Sequence, residues 1–246
     1  PMGLFHPLMR LSFAAMHGDT GIIADALAYM AIRYKDLYQH PFIDDETKGV
    51  ANAANNWATI NKTLHSNRLS YPLGGTIRVC EQMCADSVVH QLAFTGGFTI
   101  SGNNLDAKIA EICQGAVKLY LHQPALTTLH AVTACQALAD LTERFATTAA
   151  NRASFAKLWQ LMWIWLTALY IEKGHPAKLP SIEGATVLHK RQHDWEQLTK
   201  MALQMREVHV MKMAFSCQWL FERILGEEGD EGDELYRLAV VRMLGK

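Results

Sequence analysis

The sequence predicts an all-α protein, and three observations carry the prediction. Apolar residues recur every three or four positions almost throughout, alternating β-branched runs are scarce, and short turn-rich separators punctuate the pattern. The periodic stretches are about 7–17, 20–38, 45–64, 75–93, 104–122, 126–145, 152–173, 184–206, 207–225 and 231–244. The first opens on His6-Pro7, because proline suits the first helical position and pushes the preceding residue out of the helical region. Gly18-Asp19, His40-Pro41, Tyr71-Pro72-Leu73-Gly74-Gly75, Gly96-Gly97 and Ser101-Gly102-Asn103-Asn104 separate the next elements, followed by Gly174-His175-Pro176 and the glycine- and acid-rich stretch 226–232. None is long enough for an interdomain linker, so residues 1–246 are expected to form a single compact multi-helix bundle. The acidic residues from Glu227 to Glu234 read as a solvated turn and the negative first turn of the last helix.

Composition excludes several classes. Half of the 246 residues are hydrophobic, enough for a sizeable core. Lysine and arginine number 23 against 24 acids, so no cationic excess exists to neutralise a phosphate backbone, and no nucleic-acid partner is expected. The longest apolar run, 158–171, is interrupted by Gln160 and Thr167 and is too short to span a bilayer, which makes it a buried central helix. The opening residues carry neither a basic region nor an apolar leader, and a cytoplasmic location is expected. Cys80, Cys84, Cys113, Cys135 and Cys217 lack CxxC or zinc-finger spacing and read as reduced, mostly buried thiols. Nucleotide-binding glycine motifs, GxSxG and HExxH are all absent, leaving the eleven histidines as the place for chemistry.

His130 with Thr133, and His209 with Lys212, each share one face of an otherwise apolar helix. Lys212 stands among Val208, Val210, Met211, Met213, Ala214 and Phe215. Two readings fit it. Its stem can be buried while its ammonium reaches water or pairs with Glu207 or Asp194. Alternatively, desolvation favours the neutral amine, a nucleophile able to carry a carboxylate gained from carbon dioxide. Lys212 and His209 would then offer a carboxylate and an imidazole from one helix, a mixture suited to non-haem iron. His130 sits on a buried face, where a core histidine bonded to a backbone carbonyl is the more common outcome on local evidence. His6 sits at a helix mouth, where capping and ligation are both open to it. His189 and His193 share a helix face at a spacing that can bind metal, whereas His17, His40, His65, His122 and His175 lie near helix ends or turns.

Taken together, several motifs resemble the questin oxidase-like family. These are Leu4-Phe5-His6-Pro7-Leu8-Met9-Arg10-Leu11 with the Gly18-Asp19 turn and Ile23-Ala24-Asp25-Ala26-Leu27-Ala28-Tyr29, then Leu129-His130-Ala131-Val132-Thr133-Ala134-Cys135-Gln136-Ala137-Leu138, and finally His209-Val210-Met211-Lys212 and Leu235-Tyr236-Arg237-Leu238-Ala239. The resemblance implies an oxidoreductase that oxygenates or cleaves anthraquinone-like aromatic polyketides, described as Baeyer–Villiger-type and NADPH-linked. It implies mononuclear iron (Fe2+) ligated by His6, His130, His209 and a carboxylated Lys212, with His209 and Lys212 also catalytic. It implies dioxygen and a small aromatic substrate as partners, and a homodimer is an expectation beside them. It further implies an upstream histidine-rich helix of the HNHxxH kind, so the chain is expected to be the remainder of a longer polypeptide. Trp159 and Trp163, with Trp57 or Trp219, are candidates to wall the substrate pocket. The competing reading is a non-catalytic helical binding or interaction protein on the same scaffold with an incomplete metal site.

Overall fold

The computed structural model describes residues 4–34, 52–66, 77–180, 193–225 and 229–245. Among the described residues there are eleven α-helices and no strand, so the chain is all-α. In chain order these are α1 (His6–His17), α2 (Thr20–Ile32), α3 (Ala53–Ser66), α4 (Ile77–Cys84), α5 (Ser87–Ala93), α6 (Leu105–His122), α7 (Leu126–Phe145), α8 (Ala149–Glu172), α9 (Trp195–Met205), α10 (Val208–Leu220) and α11 (Gly229–Met243). The helix expected over 75–93 is instead two. The Asp86 carboxylate accepts from the Val88 backbone N–H at 2.7 Å and caps a new helix, which breaks the run at Ala85-Asp86. The separator 71–75, His40, His189 and the expected helical stretches 35–38, 45–51 and 184–192 lie outside the described residues.

The chain divides into two compact units, residues 1–112 with 137–177, and residues 113–136 with 178–246. The first is organised by α8. Thr148 caps it by accepting from the Asn151 N–H, and from Ala156 to Glu172 its buried positions run round the whole helix. A helix apolar on every side needs neighbours on every side. Its polar atoms fix where those neighbours lie. Gln160 Nε2 donates to the Ile100 carbonyl at 2.8 Å, Trp163 Nε1 to the Ala93 carbonyl at 2.7 Å, and the Tyr170 hydroxyl to the carbonyls of Trp57 and Pro176. Trp57 stacks on Tyr170 with ring centroids 4.7 Å apart and on Trp163 at 5.1 Å, and Phe98 stacks on Trp163 at 4.5 Å. Offset stacking adds to the burial of these large rings. The buried Asp140 carboxylate on α7 accepts from Ser12 Oγ of α1 at 2.8 Å and from Arg144 Nε at 2.8 Å, so this acid has its hydrogen-bond partners.

The second unit contains α9, α10, α11, residues 113–122 of α6 and residues 126–136 of α7. Asp194 caps α9 by accepting from the Gln197 N–H at 2.8 Å, and Arg206 ends it in the left-handed conformation. Leu198, Ala202, Met213, Cys217, Leu220, Tyr236, Ala239 and Val240 fill the core. Trp195 stacks on Phe221 and donates to Asp233 at 2.8 Å, while Thr199 donates to Gln218 across α9 and α10 at 3.2 Å. Burial pushes the Cys113, Cys217 and Tyr236 protons well above their ordinary pKa values, so these groups stay protonated. All five cysteines are buried and free of disulfides, as expected from their spacing. No helix of the described residues is long and apolar enough to cross a membrane.

Thr142 gives a test of how much the polar ties of the first unit contribute. Its Oγ1 accepts from Trp159 Nε1 at 3.0 Å and donates to the Leu138 carbonyl at 2.6 Å, with both side chains buried. Thr142→Val keeps the shape but strands the indole N–H, so stability is expected to fall by about 1–3 kcal/mol. Urea unfolding measures it, and an unchanged midpoint would refute the account.

Candidate metal centre

His130 and His209 come together in the second unit. The ring of His130 on α7 and that of His209 on α10 pack edge to face with centroids 5.5 Å apart and planes at 63°. Residues 79 positions apart in sequence thus share one spot, His130 fully buried and His209 partly exposed.

Each ring has its Nδ1 opposite an oxygen that can only accept. His130 Nδ1 lies 2.8 Å from the Leu126 carbonyl, one turn earlier on α7. His209 Nδ1 lies 2.9 Å from Glu207 Oε1. Both Nδ1 atoms therefore carry hydrogen and donate, and in the neutral rings the lone pair resides on Nε2. A carbonyl or carboxylate behind Nδ1 is the usual outer support of a metal-binding imidazole, because it fixes the tautomer and raises ligand basicity. Thr133, expected to aim at the same spot as His130, instead donates its hydroxyl to the His130 carbonyl at 3.3 Å.

Glu207 has partners other than the one expected of it. It was a candidate partner for Lys212. In the structure its Oε2 accepts from the Val210 N–H at 2.8 Å and caps α10, while Oε1 takes the His209 ring. Desolvation raises the Glu207 carboxyl, but the hydrogen bonds from the His209 ring and from the backbone N–H groups of His209 and Val210 outweigh it and hold the group below its ordinary value. A Glu two residues before a His at a helix start is the local signal that would have found this pair.

Lys212 lies on α10 one turn beyond His209, half-buried. The two expected pairings do not form, because Glu207 is engaged by His209 and Asp194 caps α9. Among the described residues none forms a hydrogen bond or ion pair with Lys212. His6 is the first residue of α1, half-buried, in the first unit. It follows two non-glycine residues in the left-handed region, Leu4 at φ 53 and Phe5 at φ 61, and Phe5 is held edge-on against Trp165 at 5.3 Å. Such backbone strain persists only where packing enforces it. No sequence signal marks it. Among the described residues, no three or more His, Cys, Asp and Glu side chains form a metal-binding group. Trp57, Trp159 and Trp163 are core of the first unit, and Trp219 is half-buried on α10.

A second histidine pair provides a contrast. His65 and His175 pack edge to face at 5.0 Å in the first unit. His65 Nδ1 donates to the Asn61 carbonyl at 2.8 Å, but the Asn61 amide approaches His175 Nδ1 at 3.4 Å and donates to the His175 carbonyl at 2.6 Å. Desolvation, with the adjacent His65 charge, pushes the His175 pKa down.

Residues 2–217 match the model of the questin oxidase-like family, and the chain belongs to that family. Membership points to an oxidoreductase. The matched range includes the His6, His130 and His209–Lys212 motifs, whereas Leu235-Tyr236-Arg237-Leu238-Ala239 lies beyond it. No curated protein and no solved structure was found to match the chain.

Removing the Glu207 carboxylate tests the support of the imidazole pair. Glu207→Ala is expected to cost about 0.5–1 kcal/mol through the lost cap of α10. Because the folded-state carboxyl titrates lower than the unfolded one, its contribution is present above the ordinary carboxylate range and lost as pH falls through the folded value. The variant should therefore show a flatter loss of stability on acidification than the wild type. Equal acid profiles in urea unfolding would contradict this.

Proposed function

We propose that the chain is an iron-dependent oxidoreductase that uses dioxygen to oxygenate or cleave a planar aromatic polyketide-like substrate, with His130, His209 and a carboxylated Lys212 of the second unit as metal ligands. The observation that carries the reading is the meeting of His130 and His209 with both Nδ1 atoms hydrogen-bonded to acceptor oxygens, in a chain of the questin oxidase-like family. Two imidazoles presenting Nε2 and an amine one turn away suit a borderline divalent ion better than a thiolate-lined site would, and the buried cysteines lie in core positions instead.

Iron bound there supplies dioxygen binding and redox chemistry. The protein's own residues prepare for it. The Leu126 carbonyl and the Glu207 carboxylate hold the two rings in the ligating tautomer. Lys212 gains its carboxylate when the neutral Nζ attacks carbon dioxide, forming an N–C bond and releasing one proton. NADPH is the proposed electron source.

A second reading, a non-catalytic binding protein with an incomplete site, is favoured because no three His, Cys, Asp or Glu side chains among the described residues are arranged to hold a metal ion. Metal analysis separates the two. Protein reconstituted anaerobically with Fe2+ and bicarbonate is expected to retain about one iron per chain, and His130→Ala and Lys212→Met to bind it at least about tenfold more weakly. Lys212→Met should unfold near the wild-type midpoint, since it keeps most of the side-chain volume. A wild-type chain that holds no iron, or variants that hold it equally well, would sink the oxidoreductase mechanism in favour of the binding protein.

A further inference from the structure

The chain leaves α8 through a turn that hydrogen bonds fasten from two sides. From α8, the Tyr170 carbonyl accepts from the His175 N–H and the Tyr170 hydroxyl donates to the Pro176 carbonyl, both at 2.9 Å. From α3, Asn61 Nδ2 donates to the His175 carbonyl at 2.6 Å. His175 itself stands in the left-handed region at φ 39, directly after Gly174 at φ 85. A histidine in that region is strained, and the strain persists only where bonds such as these hold it.

The Asn61 amide also makes the turn sensitive to one proton. Its nitrogen is committed to the His175 carbonyl, so a hydrogen of the same group meets His175 Nδ1 at 3.4 Å, and that ring nitrogen must be bare to accept it. A protonated imidazole carries hydrogen on both nitrogens, and two donors would then face each other. His65 of α3 packs edge-on against the same ring at 5.0 Å, with its own Nδ1 tied to the Asn61 carbonyl, so two charged rings there would repel. Nothing nearby favours the cation. At the end of α8 the charges of Glu172 and Lys173 are paired with each other at 2.9 Å, and Lys62 and Lys178, exposed on α3 and on the segment itself, are positive. Among the described residues no carboxylate pairs with either ring. Desolvation, and after it the His65 charge, accordingly hold the His175 pKa down.

We propose that this turn is a pH-operated latch, in which the neutral His175 ring pins the chain after α8 to α3 and protonation of the ring releases it. Residues 173–177 are the last of the first unit, so the released piece is the exit of the chain from that unit. The stored strain at His175 favours opening once the Asn61 contact is lost. Because the folded ring titrates below the unfolded one, the contribution of the turn is complete above the ordinary imidazole range and is lost as pH falls through the folded value.

The test is amide hydrogen exchange of the full chain read by mass spectrometry, at about pH 7.5 and about pH 5, each corrected for the intrinsic pH dependence of exchange. Protection of peptides covering 172–178 is expected to fall about tenfold at the lower pH, while peptides of α7 keep theirs. His175→Asn places a non-titrating acceptor where Nδ1 stood and tolerates the left-handed backbone, so its protection should be the same at both pH values. His65→Gln removes the neighbouring charge and should move the opening to higher pH. Wild-type protection that does not change with pH, or a fall that persists in His175→Asn, would overturn the latch. So would a loss of protection shared by α7, which would mean general acid unfolding. Should His175→Asn fail to fold, an opening midpoint left unmoved by His65→Gln would overturn it.

Discussion

Burial of α8 on every side is the constraint from which the first unit follows. A 24-residue helix that carries Trp159, Trp163, Trp165 and Tyr170 in the core and is buried all round from Trp159 onward cannot present a polar face to water there, so other elements must enclose it. Close packing alone would permit many enclosures. The indole of Trp163, the amide of Gln160 and the phenol of Tyr170 narrow the choice, since each donates to an acceptor on another element. Trp163 finds the last residue of α5, Gln160 finds Ile100 and Tyr170 finds Trp57 on α3. These acceptors are backbone carbonyls at helix ends, loops or a helix interior, and they tie elements distant in sequence to one helix.

The second unit solves a different problem, the placing of imidazoles in an apolar seam. His130 and His209 each need an acceptor for Nδ1, and each finds one within its own chain neighbourhood, His130 at the preceding turn and His209 at the cap of its own helix. Because those acceptors are local, the ring orientations are set by α7 and α10 individually. The pairing at 5.5 Å then depends only on how the two helices pack. Glu207 serves twice, as N-cap and as ring support, so the start of α10 and the orientation of His209 stand or fall together.

Periodicity made the all-α class legible, since it reports which face of each helix is buried. His6 at a helix start, His130 on a buried face and Lys212 one turn from His209 were legible for the same reason. The break at Ala85-Asp86 was missed because the apolar spacing runs through it while the decisive event is one side-chain cap. The pairing of Lys212 with Glu207 was misjudged because charge complementarity along a helix says nothing about a competing donor. His209 and the Val210 N–H reach the carboxylate by local geometry. The left-handed backbone at Leu4-Phe5 has no sequence counterpart, since it arises from tertiary packing.

Two edge-to-face histidine pairs in one chain show that proximity of rings does not define a metal-competent pair. Their centroid separations, 5.0 and 5.5 Å, are nearly the same. Their partners differ. At His130 and His209 both Nδ1 atoms face oxygens, so both rings hold a lone pair on Nε2. At His65 and His175 the Asn61 amide approaches one Nδ1 as a donor, which directs that ring's own proton to Nε2 and removes the lone pair a metal would need. The same amide also binds the His175 carbonyl, at a residue held in the left-handed region, so that pair closes a loop after α8. Burial and the neighbouring imidazole resist its protonation, which suits a structural contact. What separates a candidate ligand pair from a structural one in this chain is therefore the chemistry standing behind each ring.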